Sequence, residues 1–166
     1  MKTIQSAPEL YAHAIAIERE AAERYSEFAE RMADLGNDAV ASVFSWLASV
    51  EGEHLETLQN RTEGVELPDP VLNQYRWLDS GAPETSAREL IFRLMTPRRA
   101  LEIALAAEKR AQAFFEGVMM TADDPALRAL AQEMAMEEQG HVALVERLLE
   151  RTPEPGVDWG ALFEAD

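Results

Sequence analysis

Glu18, Glu51, Glu108 and Glu138 each stand on a helix face that is otherwise apolar. An unpartnered buried carboxylate is costly, so four of them can share one interior only if protons or cations neutralise them together. Residues three, four and seven apart share a helix face. By that spacing Glu18 lies with Ala14, Ile15, Ala21, Ala22 and Tyr25, and Glu51 with Phe44, Leu47, Ala48, Leu55 and Leu58. Glu108 lies with Leu101, Ala104, Leu105, Ala111 and Phe115, and Glu138 with Ala131, Met134, Ala135, Val142 and Val145. The nearby Glu20, Glu53 and Glu102 fall on polar faces instead, and no lysine or arginine shares a face with the four.

The carriers of these faces are long helices. Ser6, Pro8 and Glu9 form a helix start, and apolar residues recur in steps of three and four from Leu10 to Leu35, which predicts a first helix over 7–35. Gly36 ends it, and Asn37-Asp38 opens a second over 38–61. Gly64, Pro68, Pro70, Gly81 and Pro83 then break the pattern, although the segment keeps Val71, Leu72, Tyr75 and Trp77. That composition predicts a connection over 62–96 strapped along the bundle, with a short helix at 86–95. Thr96-Pro97 starts a third long helix over 97–121, and Asp124-Pro125 a fourth over 125–151. A tail over 152–166 carries Val157, Trp159, Leu162 and Phe163. A helix of 25 residues is about 38 Å long, a distance that some two dozen extended residues cover. The expected fold is therefore one all-α domain over 1–166: a four-helix bundle of two antiparallel hairpins joined by a long crossover, the ferritin-like variant.

Register supports a single layer of acids. The midpoint of Glu18 and Glu51 falls beside the Gly36 turn, and that of Glu108 and Glu138 falls on Asp123, in the second turn. Two of the glutamates also open a Glu-x-x-His motif, Glu51 with His54 and Glu138 with His141. Four carboxylates and two imidazoles directed into one bundle form a ligand set for a pair of metal ions. Oxygen-rich donors with imidazole suit iron or manganese. Glu51 and Glu138 are the candidate bridges, with Glu18 and His54 completing one metal's sphere and Glu108 and His141 the other's. Tyr25, seven residues after Glu18, is placed to hydrogen-bond a ligand or to serve redox chemistry. Glu137 is a candidate outer acceptor for a ligand imidazole. His13, beside Glu9 and Glu20, is expected at the surface, and the methionines are expected as core filler.

Composition narrows the rest. A formal charge of −16 disfavours nucleic acid. The absence of cysteine excludes disulfides and thiolate sites. No stretch reaches the length of a membrane span, and no apolar leader follows Met1, so a cytoplasmic protein is expected.

The ligand pattern resembles the ferritin-like di-iron carboxylate proteins over roughly 7–151, most closely the rubrerythrin-like and bacterioferritin-like branches. In these the second and fourth helices each give Glu-x-x-His, as at Glu51/His54 and Glu138/His141, and Glu18 with Tyr25 fits the bacterioferritin pattern. The resemblance implies two iron ions (or manganese) and a reaction of ferrous iron with dioxygen or hydrogen peroxide. It also implies a homodimer or higher oligomer, with iron storage as the alternative function. A third reading is a bundle that metals merely stabilise. The departures are specific. Leu105 and Ala111 stand where rubrerythrins carry an extra glutamate, and Gly52 stands where bacterioferritins place a haem-ligating methionine, so no haem is expected. Without the cysteines of a rubredoxin domain, electrons would come from a separate donor protein.

Overall fold

The computed structural model of the protein describes residues 4–70 and 95–153. Within them the chain forms four helices: α1 (Ala7–Asp34), α2 (Asp38–Arg61), α3 (Pro97–Thr121) and α4 (Pro125–Arg151). The expected helix at 86–95 (all but Met95), most of the crossover and the tail beyond 153 lie outside the described residues. No helix among the described residues is long and apolar enough to cross a membrane.

The helix limits follow from local chemistry. Ser6 Oγ accepts the Glu9 amide at 3.3 Å, and the Glu9 carboxylate accepts the Gln5 amide at 2.9 Å. At the other end of α1, Gly36 adopts φ +75, the Asn37 amide reaches back to the Met32 carbonyl at 2.8 Å, and the Gly36 amide bonds the Ala33 carbonyl at 2.9 Å. This pair of bonds closes the helix and satisfies carbonyls that would otherwise lack donors. Thr96 caps α3 through the Arg99 amide at 3.1 Å, and Asp124 caps α4 through the Ala126 amide at 2.9 Å, each followed by a proline in the first turn.

Each hairpin packs chiefly within itself, α1 on α2 and α3 on α4. One bond reaches from the first hairpin to the entry of the second, and others close the second hairpin on itself. Asn37 Nδ2 donates to the Met95 carbonyl at 2.7 Å, so α2 and α3 begin side by side and run parallel, as one long crossover requires. Arg98 Nη1 donates to the carbonyls of Leu149 and Thr152, both at 3.0 Å, and so covers the open end of α4 from the start of α3.

The apolar interior is divided in two. One cluster gathers Leu10, Ala14 and Ile17 of α1, Leu58 of α2, Ala111, Phe115 and Val118 of α3, and Leu127, Ala131 and Met134 of α4. The other gathers Tyr25 and Met32 of α1, Phe44 and Leu47 of α2, Leu101 and Ala104 of α3, and Val145 and Leu149 of α4. On every helix, the glutamate identified from the sequence lies between the residues given to one cluster and those given to the other.

One expectation is corrected here. His13 is not at the surface: it is 3% exposed, with its ring 5.9 Å from that of Phe114 on α3. From Ala12 to Glu18 every residue of α1 is buried, so the face that looks polar in sequence is covered as well.

Candidate metal centre

The middle of the bundle is a polar layer. Glu51, Glu108, Glu138, Glu18 and His141 are 2%, 3%, 3%, 6% and 7% exposed, and His54 is half-buried. Four different helices supply these side chains, each from near its midpoint, because both hairpin turns set the glutamates at equal height. Ligand atoms of Glu51, Glu108 and His141 lie within 4.8 Å of one another, close enough to share a cation.

His141 is the hub. Its Nδ1 lies 3.3 Å from Glu108 Oε2, 3.5 Å from Glu138 Oε2 and 3.9 Å from Glu51 Oε1. Its Nε2 faces the opposite way, 3.2 Å from His54 Nε2. Tyr25, fully buried, donates its hydroxyl to Glu108 Oε1 at 3.0 Å. The pairing of Glu18 with Glu51 lowers the first and raises the second, the pattern of a proton on Glu51 directed at the Glu18 carboxylate. No lysine or arginine among the described residues pairs with these glutamates; Arg98 and Arg99 serve Glu102, and Lys109 serves Glu146.

The electrostatics of the layer are those of carboxylates crowded together out of water. Burial pushes Glu18 and Glu138 from 4.5 up to about 7, with neighbouring carboxylates adding to the effect. Glu51 rises to about 10, through burial first and then the negative charge of Glu108. For His141 burial works against the cation, but hydrogen bonds to Glu108 and Glu138 and the charge of Glu51 outweigh it and raise the group to about 11. His54 moves the other way, lowered by burial and by the positive charge of His141. The Tyr25 phenol is pushed up, first by burial and then by Glu108. Protons and one imidazolium thus hold the layer together, and cations could take over that role. The donor set of hard carboxylate oxygens and imidazole nitrogens, without thiolate, fits iron or manganese.

All six residues selected from the sequence as ligands are brought into this layer, and Tyr25 touches it. Glu137 makes no hydrogen bond to an imidazole among the described residues: it is turned towards Arg61, whose Nη2 is 3.9 Å away and whose Nη1 pairs with Glu133. The outer partner of His141 is His54. Sequence reasoning missed this contact, since nothing in either Glu-x-x-His motif reports how two helices are rotated against each other.

The rubrerythrin family model matches residues 9–77, which include the α1 glutamate and the first Glu-x-x-His motif. The crystal structure of an uncharacterised conserved protein from Magnetospirillum magnetotacticum MS-1 is similar to this chain at 34% sequence identity and a TM-score of 0.73. That similarity spans 92% of this chain and 99% of the other. No curated protein matches the chain.

Proposed function

The chain belongs to the rubrerythrin family of ferritin-like proteins, and on that premise we propose that it is a di-iron carboxylate oxidoreductase using dioxygen or hydrogen peroxide. The observation that carries this reading is the convergence of Glu51, Glu108 and His141, with Glu18 and Glu138 beside them, in a buried layer whose glutamates have no lysine or arginine partner among the described residues. Glu51 and Glu138 are assigned as bridges, Glu18 and His54 to one ion, and Glu108 and His141 to the other. Two ferrous ions held there would supply the two electrons that, with two protons, take hydrogen peroxide to two waters. The protein's part is to fix the ligands and keep the layer dry. Apolar clusters lie on both sides of it, and Tyr25 holds Glu108 from within one of them. The protons on Glu51 and His141 leave as cations enter, so ion uptake releases acid and strengthens as pH rises. Electrons for repeated turnover come from a separate donor protein.

An anaerobic ferrous titration, followed by dioxygen or peroxide, tests this. Saturation at two irons per chain with a ferric absorption on oxidation is expected. Uptake far beyond two would make the protein an iron store instead, and no specific uptake would refute the metal assignment.

A further inference from the structure

His54 and His141 meet nitrogen to nitrogen. Their Nε2 atoms are 3.2 Å apart, with the rings edge-on at 85° and centroids 4.4 Å apart. A neutral imidazole has one N–H and one lone pair. His141 turns Nδ1 towards Glu108 and Glu138, so an ion bound among these carboxylates takes the Nδ1 lone pair and leaves the ring proton on Nε2. That N–H faces His54 Nε2, which must then present its own lone pair. His54 is left with its proton on Nδ1 and its lone pair engaged. Through neither nitrogen does it have anything to offer a second ion while the contact lasts.

We infer that His54 is a latch rather than a fixed ligand. In the geometry seen here it is the acceptor that orients His141 for the first ion, and it becomes a ligand only by swinging away from His141. The two halves of the layer are built for this difference. The Glu108/His141 half is held from several sides, by the Tyr25 hydroxyl on Glu108 and by the Glu108 and Glu138 contacts of His141, and all four side chains are buried. His54 is half-buried, and His141 is the one hydrogen-bond partner it has among the described residues. The ions therefore load in order, the Glu108/His141 position first and the Glu18/His54 position second, and the second ion is the exchangeable one. This rests on the di-metal reading above.

A Mn(II) titration of the metal-free full chain, followed by electron paramagnetic resonance and calorimetry, tests it. An isolated Mn(II) ion gives a six-line signal that an exchange-coupled pair loses. The wild type is expected to build an uncoupled signal up to one ion per chain. A second ion, bound at least about tenfold more weakly, then replaces it with a coupled pair, because binding it sacrifices the outer partner of His141. His54→Ala stops at one uncoupled ion and lowers the first affinity no more than about tenfold, since water can replace the acceptor at a half-buried position. His54→Gln, which keeps an acceptor, also stops at one ion and retains the first affinity, whereas His141→Ala loses the tight step. Circular dichroism shows that each variant keeps its helices. A coupled pair from the first addition would overturn the latch while leaving the di-metal reading intact, as would loss of the tight step in His54→Ala but not in His141→Ala. Failure of the wild type to bind Mn(II) at all would overturn both.

Discussion

The apolar clusters and the polar layer between them are built from the same four helices, yet they act on stability in opposite senses. In the clusters, residues such as Phe44, Phe115 and Leu127 are fully or almost fully buried and contribute by leaving water. In the layer, Glu18, Glu51 and Glu138 are about as deeply buried, and burial pushes each of them towards its protonated form. The clusters hold the bundle; the layer is a strained set of donors that the bundle keeps in place. Maintaining such a set is understandable if its stabilising partner comes from outside the chain, and a pair of cations does so.

The contrast can be broken most severely at the layer's chemistry. Glu51→Ala and Glu138→Ala are each expected to abolish iron oxidation with helical content unchanged, as checked by stopped-flow absorbance and circular dichroism. Full activity in both variants would remove the site assignment. In the cluster, Phe115→Ala should cost about 3–5 kcal/mol in denaturant unfolding. Glu51→Gln should instead leave the metal-free protein as stable as the wild type at pH 8, or more so, because it removes a carboxyl that burial disfavours in its charged form. Equal destabilisation by the two substitutions would erase the distinction between the regions.

Titration gives a third test. In the metal-free protein Glu18 and Glu138 rise from 4.5 to about 7, Glu51 to about 10, and His141 from 6.5 to about 11. A raised folded value means that the folded state holds protons the unfolded chain has released. These groups stabilise the metal-free fold fully below their unfolded values and lose that contribution as pH rises through the folded ones. Metal-free stability should therefore fall from about pH 5 upward, most steeply towards pH 7. His54, being lowered, contributes the opposite slope below 6.5. Bound cations need the ligands deprotonated, so the gap in melting temperature between loaded and metal-free protein should widen as pH rises. A gap that narrows would contradict cation replacement of these protons.

The smallest effect is expected at the border between the regions. Tyr25 packs in one apolar cluster, stacked on Phe44 at 5.9 Å, while its hydroxyl serves Glu108 in the layer. Tyr25→Phe keeps the packing and should cost about 1 kcal/mol of metal-free stability. Metal affinity at the Glu108 position should fall about tenfold, as measured by calorimetry.

What the sequence reveals of all this depends on whether one helix alone decides the matter. Ser6, Gly36, Thr96 and Asp124 mark helix ends through bonds within a few residues of each, so α1 to α4 could be delimited to within a residue. The four inward glutamates were legible because their own faces are apolar, and their common height because hairpin geometry is symmetric about each turn. Contacts between helices were not. His13 looks solvated beside Glu9 and Glu20, yet it meets Phe114 of a helix about a hundred positions away. Glu137 looks like a partner for an imidazole, yet Arg61 of α2 lies on its side of α4. The meeting of His54 with His141 depends on the rotation of α2 against α4, which neither motif encodes.

The central claim is that the polar layer is a two-ion site, and anomalous diffraction from crystals equilibrated with Mn(II) tests it most directly. Two peaks within the layer are expected, one bounded by Glu18, Glu51 and His54 and the other by Glu108, Glu138 and His141. Crystals saturated with the ion that show no peak among these six side chains would contradict it.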